Sequence, residues 1–474
     1  MSGSFAGPAD YQIAARIERL PISAWHARIG VVVCAGFFFD AFDIMTLAYA
    51  LPVLVGRWHL APGEIGTAIS IGFIGQIFGA LFFGWLAEKK GRVPSAVATV
   101  LLYALMSLAC AFAWNLPSMM VMRFIQGWGI GGTIPVLATY INEFANSRRR
   151  GRFVLCYQCA FSIGLPMTAW IGNWVVPHLG WEWMFIIGAL PALIVLPMAR
   201  MLPESPRWLA NHGRNEEANR VLARIEGIIS HGGAKPLPPI PTGMPQVPRN
   251  DTHVGDLFRG IYLKRTLTVW TLWFCTYVIT YGMLTWLPTI WRTVYHMSVE
   301  EALHYQSIYA LIAAPGFIVT ISLIDSIGRR RMFLLGLGVG AALMLALASL
   351  DNPAPMTLLL MLSMSQLAVG MLALALSTYT AELYPTELRA LGGGFGNAWL
   401  RLGGTAGPAF IGAMLPVFGL KGIFASFGVL LAFGAVVCFL FAIETGGKVL
   451  EHLSPSLKRG PDEAASPKLA YGRE

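Results

Sequence analysis

Two short stretches of the chain are near copies of each other. The first reads Gly84-Trp85-Leu86-Ala87-Glu88-Lys89-Lys90-Gly91-Arg92, and the second reads Asp325-Ser326-Ile327-Gly328-Arg329-Arg330-Arg331. Each follows a long apolar run, and in each an acidic residue stands four positions before an arginine. The two acids are 237 residues apart in the chain (88 to 325).

Two further motifs repeat at nearly the same distance. Tyr140-x-x-Glu143 and Tyr379-x-x-Glu382 are 239 residues apart (140 to 379), and the acids Glu204 and Glu444 are 240 residues apart. Because the three separations agree within a few residues, the chain is predicted to be a duplicated unit.

Between the motifs the chain is mostly apolar. Of its 474 residues, 55% are hydrophobic and only 12% are charged, which is too apolar for a surface that faces water. Apolar runs of about 20 residues recur, long enough to cross a hydrocarbon core of roughly 30 Å as helices. Runs such as 97–114 and 332–350 are apolar on every face, whereas strands of a membrane barrel alternate. The predicted fold class is therefore an all-α membrane protein.

Twelve transmembrane helices are predicted, in two pseudo-symmetric six-helix bundles. Their approximate positions are 29–55, 66–87, 94–114, 117–143, 153–175, 182–202, 266–290, 303–324, 331–350, 355–383, 390–416 and 421–443.

The positive charges separate by loop. The net charge is +9. Most arginines and lysines, including those of the 203–265 segment, fall in loops on one side of the predicted spans. By the positive-inside rule that side is cytoplasmic, as are both termini of this cell-membrane protein. Residues 1–28 contain no apolar core or cleavage site, so no cleaved signal peptide is expected. The positive charge therefore indicates orientation in a lipid bilayer, and it does not indicate binding of nucleic acid.

The predicted organisation has five parts. They are a cytoplasmic N-terminal segment 1–28, a six-helix bundle 29–202, a cytoplasmic central loop 203–265 with a surface helix, a second six-helix bundle 266–444, and a cytoplasmic tail 445–474.

These motifs resemble those of the major facilitator superfamily over essentially the whole chain. The stretch 123–129, Arg-Phe-Ile-Gln-Gly-Trp-Gly, resembles the superfamily's fourth-span motif, and 203–208, Pro-Glu-Ser-Pro-Arg-Trp, resembles its sugar-porter and organic-ion branches. Phe39-Asp40-Ala41-Phe42-Asp43 and the stretch from Tyr379 to Pro408 are similar to metabolite:proton symporters that carry aromatic acids and nicotinate. The resemblance implies two bundles around a central cavity that opens alternately to each side, with substrate bound near the midplane.

Four ionisable residues are predicted to lie deep in spans: Asp40, Asp43, Arg123 and Arg401. Each costs at least about 2.5 kcal/mol at the centre of a membrane helix, which makes a functional role the default reading. Asp40 and Asp43, on one helix face, are predicted to couple transport to protons together with Arg123. Asp43 is the favoured carrier because it lies nearer the expected depth of Arg123. The alternative is a buried ion pair that only orients helices.

Arg401 is predicted to bind an anionic group of the substrate, because arginine holds carboxylates in a bidentate manner. The alternative is pairing with Asp40 or Asp43. Ring faces and amides around it are further candidates for substrate binding: Tyr277, Tyr281, Trp286, Trp399, Gln158, Gln306, Gln366 and Asn397.

A gate is predicted from charged and glycine residues at the cytoplasmic ends of the spans. Its members are Gly84, Glu88, Arg92, Glu143, Arg150, Asp325, Gly328, Arg329, Glu382 and Arg389. Their alternating signs suit salt bridges that form when that side closes and break when it opens. The alternative is that they serve only topology and helix-end charge.

The predicted function is proton-coupled symport of a small organic anion, an aromatic or heteroaromatic monocarboxylate, by a protein working as a monomer. The rivals are a sugar or polyol porter, which would not need a buried cation, and a membrane receptor that does not transport. No enzyme activity, cofactor, metal or catalytic residue is expected, because the one G-x-G-x-x-G match, 127–132, lies inside a span and no P-loop occurs.

Overall fold

The computed structural model describes residues 8–146, 150–230, 236–241 and 253–448. Within these ranges the chain forms helices and no strand. The helices are α1 Pro8–Glu18, α2 Ala24–Trp58, α3 Pro62–Lys90, α4 Arg92–Ala111, α5 Leu116–Phe144, α6 Arg150–Leu179, α7 Glu182–Gly188, α8 Ala192–Met201, α9 Pro206–Asn211, α10 Asn215–Ile229, α11 Ile261–Thr293, α12 Val299–Ala313, α13 Gly316–Ile327, α14 Arg329–Ser349, α15 Pro355–Leu383 and α16 Thr386–Phe441.

The all-helical membrane fold predicted from the sequence is confirmed, with three differences in how the spans are built. The sixth predicted span is two helices, α7 and α8, separated at Pro191, and the eighth is α12 and α13, separated at Pro315. Proline lacks an N–H donor, which interrupts the helical ladder. The last two predicted spans run together in α16, where the backbone kinks at Gly419, with φ 58°.

In the part of the chain that the structure describes, eight helical segments are each long and apolar enough to cross a membrane. They are Ala24–Trp58, Pro62–Lys90, Arg92–Ala111, Cys156–Leu179, Ile261–Thr293, Arg329–Ser349, Pro355–Leu383 and Glu387–Phe441. The helices α2–α8 form the N-terminal half, and α11–α16 form the C-terminal half.

The duplicated motifs make the same contact in both halves, at what we call the motif end, where α3, α5, α13 and α15 finish. Glu204 accepts hydrogen bonds from the backbone N–H groups of Arg92 (2.9 Å) and Val93 (3.2 Å), at the start of α4. Glu444 accepts them from Arg329 (2.8 Å) and Arg330 (3.1 Å), at the start of α14. Each acid therefore satisfies free N–H groups of a helix N-terminus.

The pKa values of these two acids differ. Burial raises the pKa of Glu204, although backbone N–H groups oppose it. Burial acts in the same direction on Glu444, but four backbone N–H donors outweigh it and the pKa of Glu444 is lowered. The C-terminal copy thus holds its carboxylate more firmly in the ionised form.

A small helical layer covers the motif end of the N-terminal half. The predicted surface helix is α10, which buries Leu222 and Ile225. Helix α1, which the sequence analysis did not predict, is held against this layer by two ion pairs to Glu226, each at 2.7 Å. One comes from Arg16 of α1 and the other from Arg19, which directly follows α1. The described part of the central segment is therefore ordered around α9 and α10. The predicted tail beyond residue 448 lies outside the described residues.

Candidate functional site

Asp43 on α2 is held by two side chains of α5. Arg123 donates from Nη1 to Asp43 Oδ2 at 3.0 Å, and Gln126 donates from Nε2 to Asp43 Oδ1 at 2.5 Å. Arg123 Nη1 also donates to Gln126 Oε1 at 3.0 Å, which closes the three groups into a ring of hydrogen bonds. The expected pairing of Arg123 with one of the aspartates is present, and Asp43 is the partner. All three residues are buried.

Gln126 had no role in the sequence prediction. It lies three residues after Arg123, on the same face of α5, and it is fully buried. The signal was available, because a polar side chain one turn from a buried arginine in an apolar span needs a partner.

Asp40 stands one turn before Asp43 but has different surroundings. It is 3% exposed, and its Oδ1 has no hydrogen-bond partner among the described residues. The buried hydroxyl of Tyr103 is likewise unpartnered there, and it lies within electrostatic range of both aspartates. One aspartate is thus fully paired, and its neighbour is not.

Arg401, from the C-terminal half, reaches into the N-terminal half. Its Nη1 donates to Gln76 O (3.2 Å) and Gln76 Oε1 (3.1 Å), and its Nη2 donates to Gly131 O (3.1 Å). A Cβ atom on Gly131 would overlap the backbone of Gln76, so glycine is needed for the close approach of α3 and α5 that presents these acceptors. Arg401 interacts with Asp40 electrostatically but makes no hydrogen bond to it.

A column of aromatic rings runs beside Arg401 along α11. Trp273 stacks on Tyr277 with centroids 5.4 Å apart and 12° between the ring planes, and Tyr277 lies 5.5 Å from Tyr281. Tyr281 contacts Phe73 of the other half at 5.0 Å and lies within electrostatic range of Asp40 and Arg401. Of the predicted substrate residues, the structure therefore brings Arg401, Tyr277 and Tyr281 together.

Other predicted substrate residues lie outside this cluster. Trp286 is fully buried and donates from Nε1 to Pro408 O (3.0 Å), so it joins α11 to α16. Trp399 packs against Trp270 and Phe274, and Asn397 donates to Gly393 O of its own helix.

The three remaining predicted glutamines differ in burial. Gln306 is buried and donates to Leu284 O, while Gln158 and Gln366 are half-buried.

The predicted gate charges do form salt bridges, but the pairs in the described residues lie within each half. Arg92 pairs with Glu88 (2.8 Å) and Glu143 (2.9 Å). Arg329 pairs in the same way with Asp325 (2.9 Å) and Glu382 (2.9 Å). They therefore join neighbouring helices of one half, and the formation and breakage of these pairs as the cytoplasmic side closes and opens stays a prediction.

The other predicted gate residues differ in their surroundings. Arg389 donates to Ala381 O, and the Arg150 side chain lies outside the described part of the chain. A Cβ atom on Gly84 would meet nothing within 4 Å, and the counterpart of Gly328 is instead Gly91. Gly91 and Gly328 have φ of 111° and 89°, and a Cβ atom added at either one would meet the carboxylate of the capping acid, Glu204 or Glu444.

The two halves meet at the end opposite the motif end. Ser70 Oγ donates to Thr405 O at 2.7 Å, and Ser307 Oγ donates to Ala169 O at 3.1 Å. Gly66 also lies against the backbone of α16 near Pro408. Among the described residues, the hydrogen bonds between the halves lie at the level of Arg401 or beyond it toward this end. The conformation is therefore closed at the end opposite the motif end.

The two helical bundles in contact around buried charges are the architecture that the resemblance to the major facilitator superfamily implied. The sequence profile of the family described as Sugar (and other) transporter covers residues 56–457. The chain belongs to this family. It is accordingly a transporter and not an enzyme, and a multi-pass protein of the cell membrane.

Relatives and solved structures agree with this assignment. The niacin transporter NiaP of Acinetobacter baylyi is 34% identical over 442 residues, covering 93% of this chain and 99% of that protein. The gallate transporter of Pseudomonas putida is 28% identical over 90% of this chain and 93% of its own. The 4-hydroxybenzoate transporter PcaK of Acinetobacter baylyi is 29% identical over 59% of this chain and 61% of its own. The crystal structure of the D-xylose-proton symporter has a TM-score of 0.71 at 18% identity, covering 89% of this chain and 99% of that one, which speaks for the fold alone.

Proposed function

We propose that the protein is a proton-coupled symporter of a small aromatic or heteroaromatic monocarboxylate. The observation that carries the proposal is the cluster at the interface of the halves. There Arg401 lies within electrostatic range of Asp40, whose Oδ1 has no hydrogen-bond partner among the described residues, and of Tyr281, whose ring is neighboured by that of Tyr277.

Arg401 supports an anionic substrate. The acceptors that hold its guanidinium are neutral, so its charge has no hydrogen-bonded carboxylate among the described residues. A substrate carboxylate would exchange neutral acceptors for a charged one, which strengthens the hydrogen bonds. A neutral sugar would offer no such gain.

The tyrosine column supports an aromatic ring on that substrate. The rings of Tyr277 and Tyr281, with centroids 5.5 Å apart and planes tilted by 33°, offer offset or edge contacts to a planar molecule. The relatives whose names refer to niacin, gallate and 4-hydroxybenzoate are named for substrates of this shape.

Asp40 is proposed as the proton carrier, in place of the Asp43 favoured from sequence. Asp43 already has its charge compensated by Arg123, whereas Asp40 has no donor on Oδ1. An ionised Asp40 would repel the substrate carboxylate and compete with it for Arg401. Protonating Asp40 removes both effects, so proton and substrate each favour the binding of the other, and such coupling is reciprocal.

Because the proposed substrate site is formed by both halves, movement of one half against the other can open the site to each side of the membrane in turn. We place the motif end and both termini on the cytoplasmic side, because the arginines collect there. The conformation closed at the opposite end then faces the cytoplasm. The intra-half salt bridges keep the end of each half rigid as it moves, which is the role we assign to the predicted gate residues.

The test is uptake of labelled nicotinate and 4-hydroxybenzoate by the full chain in proteoliposomes, with an inward proton gradient. The parent should concentrate one of the acids, and Asp40→Asn should lose gradient-driven uptake while retaining exchange of substrate across the membrane. Asp351→Asn is the matched control, because Asp351 forms an exposed ion pair far from the cluster. Gradient-driven uptake that is unchanged in Asp40→Asn would rule out this carrier, and uptake of D-xylose in place of the acids would favour the sugar porter.

A further inference from the structure

The buried carboxylate of Asp43 is held by an arginine and a glutamine. Asp43 accepts from Arg123 Nη1 at 3.0 Å and from Gln126 Nε2 at 2.5 Å, while Gln126 Oε1 accepts from the same arginine at 3.0 Å. One arginine and one glutamine thus supply both donors, and the glutamine oxygen fixes the arginine.

Arg401 is also paired with a glutamine, Gln76. Its Nη1 donates to Gln76 Oε1 at 3.1 Å, close to the 3.0 Å between Arg123 and Gln126. Arginine has no acceptor, so the oxygen of the Gln76 amide must face Arg401 and Nε2 must point away from the guanidinium. Nε2 donates no hydrogen bond to any residue that the structure describes. The Arg401 and Gln76 pair therefore carries the same two kinds of donor that Asp43 receives.

We propose that Gln76 is a substrate-binding residue, whose Nε2 donates to the same carboxylate that Arg401 pairs with. This inference rests on the proposed function, since it names the second donor to the proposed anionic substrate. Gln76 belongs to α3 in the N-terminal half and Arg401 to α16 in the C-terminal half, so the carboxylate is held by both halves.

Three features of the structure support the assignment. Gln76 is 8% exposed, and its unpartnered Nε2 is not one of the sealed buried atoms, so this donor stays open to a ligand at an otherwise buried position. Its backbone is fixed by the close approach of Gly131 and of Gly127, where a Cβ atom would meet Gln76 N at 3.1 Å. The neutrality of the glutamine also leaves the charge of Arg401 for the substrate, which a glutamate at this position would neutralise.

The experiment compares Gln76→Met and Gln76→Glu with the parent, using nicotinate and its neutral amide, nicotinamide, as probes in equilibrium binding to the purified full chain. Gln76→Met keeps the length of the side chain but removes both its Nε2 donor and the Oε1 atom that accepts from Arg401. The backbone acceptors of Arg401 on Gln76 and Gly131 remain. Binding of nicotinate should weaken by roughly tenfold or more, the weight of a hydrogen bond to a charged group. Gln76→Glu should weaken it further, because its carboxylate occupies Arg401 and repels the acid. Binding of nicotinamide should change by a smaller factor in both variants.

Each outcome decides something. If nicotinate and nicotinamide lose affinity by the same factor, Gln76 acts through packing and the inference is wrong. The inference is equally wrong if Gln76→Met binds nicotinate as the parent does. Gln76→Met buries no new charge, so it keeps the test open if Gln76→Glu does not fold. A parent that shows no preference for nicotinate over nicotinamide overturns the proposed function itself, and the inference with it, whereas a parent with that preference isolates the role of Gln76.

Discussion

Breaking the ion pair between Asp43 and Arg123 is expected to destabilise the protein strongly. Their side chains are 1% and 7% exposed, and the carboxylate to guanidinium distance is 3.0 Å. Removing one member of such a pair leaves an uncompensated buried charge, which costs about 3–5 kcal/mol. Asp43→Asn and Arg123→Gln should each fall in this range. The double variant should cost much less than the sum of the two, because it buries no unpaired charge.

The structure offers a matched control in the pair Lys421 and Asp351. These side chains are 53% and 88% exposed at a separation of 2.5 Å. Exposed pairs contribute about 0–1 kcal/mol, so Asp351→Asn and Lys421→Gln should have little effect, alone or together. Both pairs join one acid to one base at short distance, so a difference in stability between their variants reports the effect of burial.

The assay is the free energy of unfolding of the purified protein in mixed micelles, titrated with sodium dodecyl sulfate and followed by tryptophan fluorescence. The full set is the two single variants and the double variant of each pair, beside the parent. The reasoning is refuted if the single costs of Asp43→Asn and Arg123→Gln add up in the double variant. It is refuted as well if the buried pair costs no more to break than the exposed one.

Three further predictions follow from other parts of the structure. Arg401→Lys keeps the charge but loses the planar fork of the guanidinium, so nicotinate should bind about tenfold more weakly. Arg401→Gln should bind nicotinate more weakly still, and the affinity for nicotinamide should change little in both variants. Equal losses of affinity for acid and amide in a binding assay would assign Arg401 to packing. Gly328→Ala should lower the midpoint of thermal unfolding, because φ at this position is 89° and the added Cβ meets the Glu444 carboxylate. The expected loss of folding stability is at least about 1–2 kcal/mol. Gly84→Ala, in open space on a helix, should be tolerated, and similar midpoints for the two variants would contradict the prediction. Burial acts to raise the pKa of Glu226, but hydrogen bonds from Arg16 of α1 and from Arg19, which directly follows α1, outweigh it, and the pKa is lowered. The contact of α1 is therefore stabilised above pH about 4.5, the ordinary value of a glutamate, and is lost as the pH falls through the lowered pKa. Glu226→Gln should speed hydrogen exchange of α1 at pH 7, with a difference from the parent that shrinks as the pH is lowered, and equal exchange at pH 7 would show that the ion pairs do not hold α1.

Much of the architecture was readable from the sequence. The separations of 237, 239 and 240 residues predicted a duplication, and the structure repeats the cap of Glu204 on α4 as the cap of Glu444 on α14. The length and apolar character of the runs predicted the helices, because a membrane admits a lone apolar segment only when its backbone bonds to itself. The high cost of burying charge likewise singled out the four deep ionisable residues as candidates.

The choice of partners was decided only by the tertiary structure. Sequence position gives the depth of a residue in the membrane, but not which side chain faces it from another helix. Asp40 and Asp43 are one turn apart and alike in sequence context, yet only Asp43 meets Arg123. Gln76 is 325 residues from Arg401 along the chain, and no periodicity relates them. Their contact exists because glycines let α3 and α5 approach closely and the two halves then close on each other, and both conditions belong to the assembled fold.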